Sequence, residues 1–188
     1  MPNHLIFNEK PECQYRLIKF LENMGYTYVS RSEAEAKRGN LSNVIFKDEV
    51  IRFLNKQTYK YNEYEFNFSG ESISKAVKAL DASLLQGLSL ASKEIYNLLT
   101  LGISLEEDIT IDKDMPVRQS FDLHYIDFEH PAENIWQVTE EFSVERSNGQ
   151  YSRPDIVLMV NGIPLVVIEC KKSSVDIREG VLQNVRNM

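Results

Sequence analysis

The stretch from Arg153 to Lys172, RPDIVLMVNGIPLVVIECKK, decides the fold predicted for this chain. It holds two apolar runs joined by Asn161-Gly162, a dipeptide typical of the tight turn between antiparallel strands. Asp155 comes directly before the first run, and Glu169 and Lys171 come at the end of the second. Because side chains two apart in a strand share a face, Glu169 and Lys171 should lie side by side. The sequence predicts a hairpin with ionisable groups at its open end.

Whether Asp155 meets Glu169 depends on the register of this hairpin. With a two-residue turn and no irregularity, Asp155 would oppose Ile168 and face away from Glu169. A third loop residue would correct this, as would a bulge near Pro164, whose nitrogen cannot donate to the ladder. We expect one of these irregularities, with Asp155 opposite Glu169. Cys170 would then point to the opposite, buried face.

Two carboxylates brought together in this way repel each other unless a cation lies between them. A divalent ion that prefers oxygen ligands, Mg²⁺ above all, is therefore expected on Asp155 and Glu169. Lys171 could orient or deprotonate a water molecule and offset phosphate charge, which points to phosphodiester hydrolysis. A simpler alternative stays open, because Glu-x-Lys also arises where a buried strand reaches the surface and forms an exposed ion pair.

The run from Ile126 to Lys172 resembles the nuclease domain of type I restriction enzyme R subunits. In that family a PD-(D/E)xK motif performs the cleavage. The resemblance implies that Asp155, Glu169 and Lys171 are the catalytic residues. It is strongest over the last third of the chain and only general over the first hundred residues.

Two further site residues follow from the resemblance. A QxxxY motif lies on the helix after the catalytic strand in this family, and Gln183 matches its first position, whereas Asn187 stands where the motif has Tyr. Many nucleases of the superfamily also direct a glutamate from an N-terminal helix to the metal, which makes Glu12 a candidate ligand. The helix dipole equally favours a glutamate near a helix start.

The resemblance implies an α/β, restriction-endonuclease-like fold, with a central mixed β-sheet flanked by helices. It implies type I site-specific deoxyribonuclease activity on double-stranded DNA, in a complex with methyltransferase and specificity subunits. Family members also carry an ATP-driven translocase. This chain has no GxxxxGK[ST] loop, so ATP is expected to bind only to domains that it lacks.

Two other interpretations remain. The chain could be another PD-(D/E)xK nuclease, such as a RecB-like exonuclease or a junction-cleaving enzyme, with the same site chemistry. It could also be a noncatalytic DNA-binding or docking module that keeps the fold. Intact Asp155, Glu169 and Lys171 argue against such a module, whereas Asn187 argues slightly for it.

Apolar spacing and breaks give the expected organisation of the chain. We expect residues 1–188 to form a single nuclease domain, mainly helical over 1–116 and sheet-rich over 117–188, as a fragment of something longer. Local patterns predict a helix over Glu12–Met24, a strand over Tyr59–Phe68, a surface loop over Leu105–Pro116 and a helix from Asp176 to the end.

The composition limits compartment and ligand. A net charge of −7 argues against a chain that holds DNA alone through a broad basic surface. Cys13 and Cys170 form no zinc-ligand spacing, and no run is long enough to span a membrane, so the cytoplasm is expected. The scattered histidines, His4, His124 and His130, suggest no metal site, and Trp136 is expected to pack rather than stack on bases.

Overall fold

The computed structural model describes residues 9–81, 88–111, 116–145 and 149–170. The helices in this part of the chain are α1 (Glu9–Asn23), α2 (Arg31–Arg38), α3 (Lys47–Leu54), α4 (Gly70–Ala79) and α5 (Leu88–Leu101), with a 3₁₀ turn at Pro131–Glu133. The strands are β1 (Thr27–Val29), β2 (Thr58–Tyr61), β3 (Tyr64–Asn67), β4 (Ile103–Ile109), β5 (Val117–Leu123), β6 (Trp136–Glu140), β7 (Val144–Glu145), β8 (Tyr151–Ser152), β9 (Ile156–Val160) and β10 (Ile163–Ile168). None of the described helices is long and apolar enough to cross a membrane.

The chain divides into two compact units. One unit comprises Met1–Phe46 and Trp136–Met188, and the other comprises Lys47–Ile135. The stretch that resembles a nuclease motif lies in the first unit. The second unit is formed by a continuous segment between the two parts of the first.

The first unit is built on a four-stranded sheet with the order β1-β6-β9-β10. Strand β1 is parallel to β6, whereas the β6–β9 and β9–β10 pairs are antiparallel. The sheet is therefore mixed, which confirms the predicted α/β, restriction-endonuclease-like class. Strands β6, β9 and β10 come from residues 117–188, the segment predicted to be sheet-rich, and the parallel strand β1 follows α1.

Both faces of this sheet are covered, and for this reason β9 is apolar along its whole length. On one face Ile156 and Val138 pack with Ile18 and Leu21 of α1. The opposite face is covered from the side of α2, by a cluster of Val29, Ala34, Phe46, Phe142, Val157 and Met159. The predicted helix over Glu12–Met24 is confirmed as α1, which ends before Gly25 at φ +100°.

The second unit contains two hairpins, β2–β3 and β4–β5. The alternating stretch Tyr59–Phe68 is not one strand, because Asn62 turns it back at φ +55°. The predicted loop over Leu105–Pro116 is also wrong in its first part. Leu105, Glu107 and Ile109 are buried on one face of β4, with exposed residues between them, as in a half-buried strand. The helix predicted from Asp176 lies outside the described residues.

Candidate nuclease site

The open end of the β9–β10 hairpin brings Asp155 and Glu169 to neighbouring positions. The turn is the two-residue Asn161-Gly162, with φ +53° and +83°, as a type I′ turn requires. The register shifts between Pro164 and Val166, and the ladder then runs to Ile168 opposite Ile156. Continued outward by one residue, this register sets Glu169 opposite Asp155. The bulge expected near Pro164 is confirmed, and no longer loop is needed.

Hydrogen bonds of Asp155 and of the preceding Pro154 hold this position. Asp155 Oδ2 accepts from the Cys170 N–H at 2.8 Å, so its side chain reaches the strand end that carries Glu169. Its carbonyl oxygen accepts from the Glu141 N–H at 2.9 Å, and the Pro154 carbonyl accepts from the Phe142 N–H at 3.1 Å. These contacts fix the segment before β9 to the segment after β6.

Burial distinguishes the two carboxylates. Asp155 is only 2% exposed, although a buried carboxylate is costly unless it is hydrogen-bonded or paired. Glu169 is half-buried at the end of β10. Cys170 is 7% exposed and belongs to the apolar cluster on the α1 face, as predicted. The pair therefore combines one deeply fixed carboxylate with one that is accessible from solvent.

A second set of charged groups lies beside Asp155, after the end of β6. Glu141 Oε2 is 3.1 Å from Arg153 Nη1 and 3.5 Å from Arg31 Nη1. Glu141 has φ +47°, a left-handed conformation that costs a glutamate on the order of 1 kcal/mol. Sequence reasoning missed this arrangement, since Arg153 lay in the quoted motif without a role and Arg31 is 110 residues from Glu141.

The neighbouring Glu140 has a different partner. The Tyr28 hydroxyl of β1 donates to Glu140 Oε1 at 2.6 Å. Burial, together with this hydrogen bond, raises the pKa of Tyr28 to about 12. Tyr28 therefore stays protonated over the working range of most enzymes and acts as a fixed donor rather than a proton carrier.

Arg38 is a buried cation on the α2 side of the sheet. Its guanidinium donates to the Ala34, Asn43 and Ser143 carbonyls and lies 3.9 Å from the centre of the Phe142 ring. Burial lowers its pKa from the ordinary arginine value. These contacts fix the chain just after Glu141, and nothing in the sequence marked Arg38 for this role.

The remaining predicted site residues are not placed by the structure. Lys171 and Gln183 lie outside the described residues, as does Asn187. Glu12 lies in the first part of α1, and its side chain is not described. Within the described ranges no group of three or more His, Cys, Asp or Glu side chains could hold a metal ion. The site there consists of the Asp155 and Glu169 pair.

The structure also describes two of the three histidines and the tryptophan. His124 and His130 are both exposed, and His130 Nδ1 is 3.5 Å from Asp127 Oδ2. His4 lies outside the described residues. Trp136 packs edge-on against Tyr26, with ring centroids 5.7 Å apart.

A known protein family matches nearly the whole chain. The family model described as "Type I restriction enzyme R protein N terminus" matches residues 6–188. The chain belongs to this family. The match includes both segments of the first unit, so the assignment covers the sheet as well as the hairpin motif.

Curated relatives of this R protein N terminus carry type I restriction names. The chain is 34% identical over 112 residues to the SsaAORF53P endonuclease subunit of Staphylococcus saprophyticus, which covers 56% of the chain. It is 35% identical over 109 residues, 54% of the chain, to the SauCOLORF180P endonuclease subunit of Staphylococcus aureus. It is 27% identical over 159 residues, 80% of the chain, to the HindI endonuclease subunit of Haemophilus influenzae. It spans 12–14% of the length of these relatives.

Proposed function

We propose that this chain is the DNA-cleaving part of a type I restriction enzyme R subunit and hydrolyses phosphodiester bonds in double-stranded DNA endonucleolytically. The observation that carries the proposal is the bulged register that sets Asp155 opposite Glu169, with Asp155 bound to the Cys170 N–H. Family membership supports it, because the relatives are named endonuclease subunits.

The donor set fits a hard divalent cation. Asp155 and Glu169 offer carboxylate oxygens at adjacent strand ends, and Mg²⁺ is usually bound through one or two carboxylates plus water and substrate phosphate. Glu12 is proposed as a further ligand. Bound Mg²⁺ would supply Lewis-acid stabilisation of phosphate charge.

The protein's own groups have distinct proposed roles. Asp155 is immobilised by its hydrogen bond to the Cys170 N–H, so it gives the site a fixed geometry before substrate arrives. Lys171, adjacent to Cys170 in sequence, would orient or deprotonate the attacking water and offset charge on the phosphate. Gln183 would contribute nearby, as the family motif implies.

The proposed setting is a larger assembly. Methyltransferase and specificity subunits would select the DNA, and an ATP-driven translocase elsewhere in the R subunit would move it. This division of tasks is compatible with a net charge of −7, since other domains would provide most of the contacts to DNA phosphates.

Cleavage of a circular plasmid by the assembled restriction complex tests this function. Asp155→Asn and Glu169→Gln should each lower the cleavage rate by about a hundredfold or more, because each removes a charged ligand while keeping a similar shape. Asp108→Asn, which removes an exposed carboxylate from β4, is the matched control. ATP hydrolysis should be unchanged in all three variants, which shows that assembly is intact.

The other interpretations predict different results. A noncatalytic module would give equal plasmid cleavage in the wild type and the two site variants. An exonuclease would leave the closed circle intact and degrade the linear form. Either result would refute the proposed function.

A further inference from the structure

We propose that Arg31 and Arg153 form a binding site for DNA backbone phosphates beside Asp155, and that the Glu141 carboxylate occupies this site when DNA is absent. The ligand class rests on the proposed function. The site itself rests on the contacts among these three side chains.

Two cationic side chains converge on one oxygen of Glu141. Arg153 Nη1 and Arg31 Nη1 both approach Glu141 Oε2, at 3.1 and 3.5 Å. A guanidinium recognises carboxylate and phosphate with the same fork of N–H donors. A phosphate oxygen can therefore take the position that the Glu141 carboxylate oxygen holds.

All three side chains are accessible to solvent. The side chains of Arg31 and Arg153 are 46% and 52% exposed, and that of Glu141 is 30% exposed. Exposed ion pairs of this kind contribute little to stability, so exchanging the carboxylate for a phosphate costs the fold little. Arg31 also contacts Glu35 at 2.9 Å, whereas Glu141 is the ion-pair partner shown for Arg153.

The arginine site lies close to Asp155 along the backbone. Arg153 is two residues before Asp155, and the Glu141 N–H donates to the Asp155 carbonyl at 2.9 Å. The same segment places Glu141 in its left-handed conformation, with φ +47°. A strained residue fixed next to a candidate catalytic carboxylate is a feature that functional sites retain. DNA bound for cleavage at Asp155 would carry its neighbouring phosphates past these arginines.

Binding of a labelled DNA duplex to the 188-residue chain, measured by anisotropy in EDTA over a range of salt concentrations, tests the proposal. Arg31→Ala and Arg153→Ala should each weaken binding about tenfold, the loss of a charge-assisted hydrogen bond. Each should also reduce the slope of log affinity against log salt by about one. Glu141→Gln should tighten binding by about threefold, because it removes the competing carboxylate.

Matched variants separate a specific site from an effect of net charge. Arg118→Ala and Asp108→Asn make the same charge changes in an exposed ion pair of the β4–β5 hairpin, with Nε and Oδ1 2.8 Å apart. Both should bind DNA as the wild type does. Equal effects in the two sets, or no detectable binding by the wild type at low salt, would overturn the phosphate site.

The outcome is separable from that of the proposed function. If plasmid cleavage depends on Asp155 but the arginine variants bind normally, the nuclease assignment stands and the phosphate site is wrong. If the arginine variants weaken binding but cleavage does not depend on Asp155 or Glu169, the phosphate site stands and the nuclease assignment falls.

Discussion

Asp155 has two roles at the scale of single residues. As a proposed metal ligand it needs its charge, and as the acceptor of the Cys170 N–H it holds the ends of two strands together. Its burial makes the second role energetically important, because losing an acceptor inside a protein costs more than losing one at the surface. Glu169 is half-buried, so its side chain is more accessible to solvent than that of Asp155.

This difference predicts the stability of the Asp155 variants. Asp155→Ala should lower the free energy of unfolding by about 1–3 kcal/mol, since it removes a buried acceptor. Asp155→Asn keeps a side-chain oxygen for the Cys170 N–H and should lose less. Urea unfolding measures both, with Asp108→Ala as an exposed control expected to stay within about 0.5 kcal/mol of the wild type. An Asp155→Ala variant as stable as Asp155→Asn would show that the hydrogen bond contributes nothing.

Residue-level prediction from the sequence reached only part of this site. The Asp155 and Glu169 pair could be predicted because a short hairpin links them. The contact of Arg31 with Glu141 spans 110 residues and leaves no local pattern. Arg38 was equally hidden, since its acceptors are backbone carbonyls that any sequence provides.

At the scale of elements, the bulge in β10 determines which side chains meet. Pro164 pairs with Met159 and Val166 with Leu158, so Leu165 is the extra residue. From that point the ladder continues regularly toward Glu169. If Leu165 were paired with Leu158 instead of being skipped, Ile168 rather than Glu169 would lie opposite Asp155.

Two deletions test this register. Deleting the 41%-exposed Leu165 alone makes the pairs of Pro164 and Val166 consecutive and keeps Glu169 opposite Asp155. Deleting Leu165 and Val167 together leaves no extra residue to absorb the second loss and moves Glu169 opposite Ile156, which belongs to the apolar cluster on the α1 face. The single deletion should therefore keep divalent-metal binding, and the double deletion should lose it and be destabilised by several kcal/mol.

Circular dichroism and Mn²⁺ titration of both deletions provide the measurement. A folded Leu165 deletion that no longer binds Mn²⁺ would contradict the assigned register. So would a double deletion of Leu165 and Val167 that binds Mn²⁺ as the wild type does.

A helix could be predicted from the sequence where a periodic apolar face is followed by a residue that ends helices. Helix α1 has such a face and ends before Gly25. Helix α2 lacks a broad apolar face, so its sequence pattern is compatible with a loop as well as a helix. A capping box between Ser30 and Glu33 starts this helix. Strand β4 was not predicted because Glu107 stands on its buried face between Leu105 and Ile109, which interrupts the apolar alternation. The Ser69 N–H and hydroxyl donate to the carboxylate of Glu107.

At the scale of the whole molecule, the order of the chain does not follow the order of the units. The second unit, Lys47–Ile135, lies in sequence between the two segments of the first unit. The interruption was not visible in the sequence, because hydrophobic periodicity reports local structure and the β1–β6 pairing joins Thr27 to Gln137 across the whole intervening segment. The proposed site is therefore assembled entirely from the outer segments.

The net charge of −7 makes a bound cation important for the proposed cleavage of DNA. An acidic chain that cuts DNA needs a cation at its carboxylate pair, and the proposed arginine site supplies only local positive charge. Metal binding is thus the property on which the nuclease assignment depends, whatever assembly the chain joins.

Calorimetric titration of the chain with Mn²⁺, a tighter-binding substitute for Mg²⁺, tests that property most directly. The wild type and Asp108→Asn should show the same saturable binding, and Asp155→Asn and Glu169→Gln should each lose it while remaining folded. Equal binding by all four proteins, or no binding by any of them, would contradict a metal-dependent site at Asp155 and Glu169.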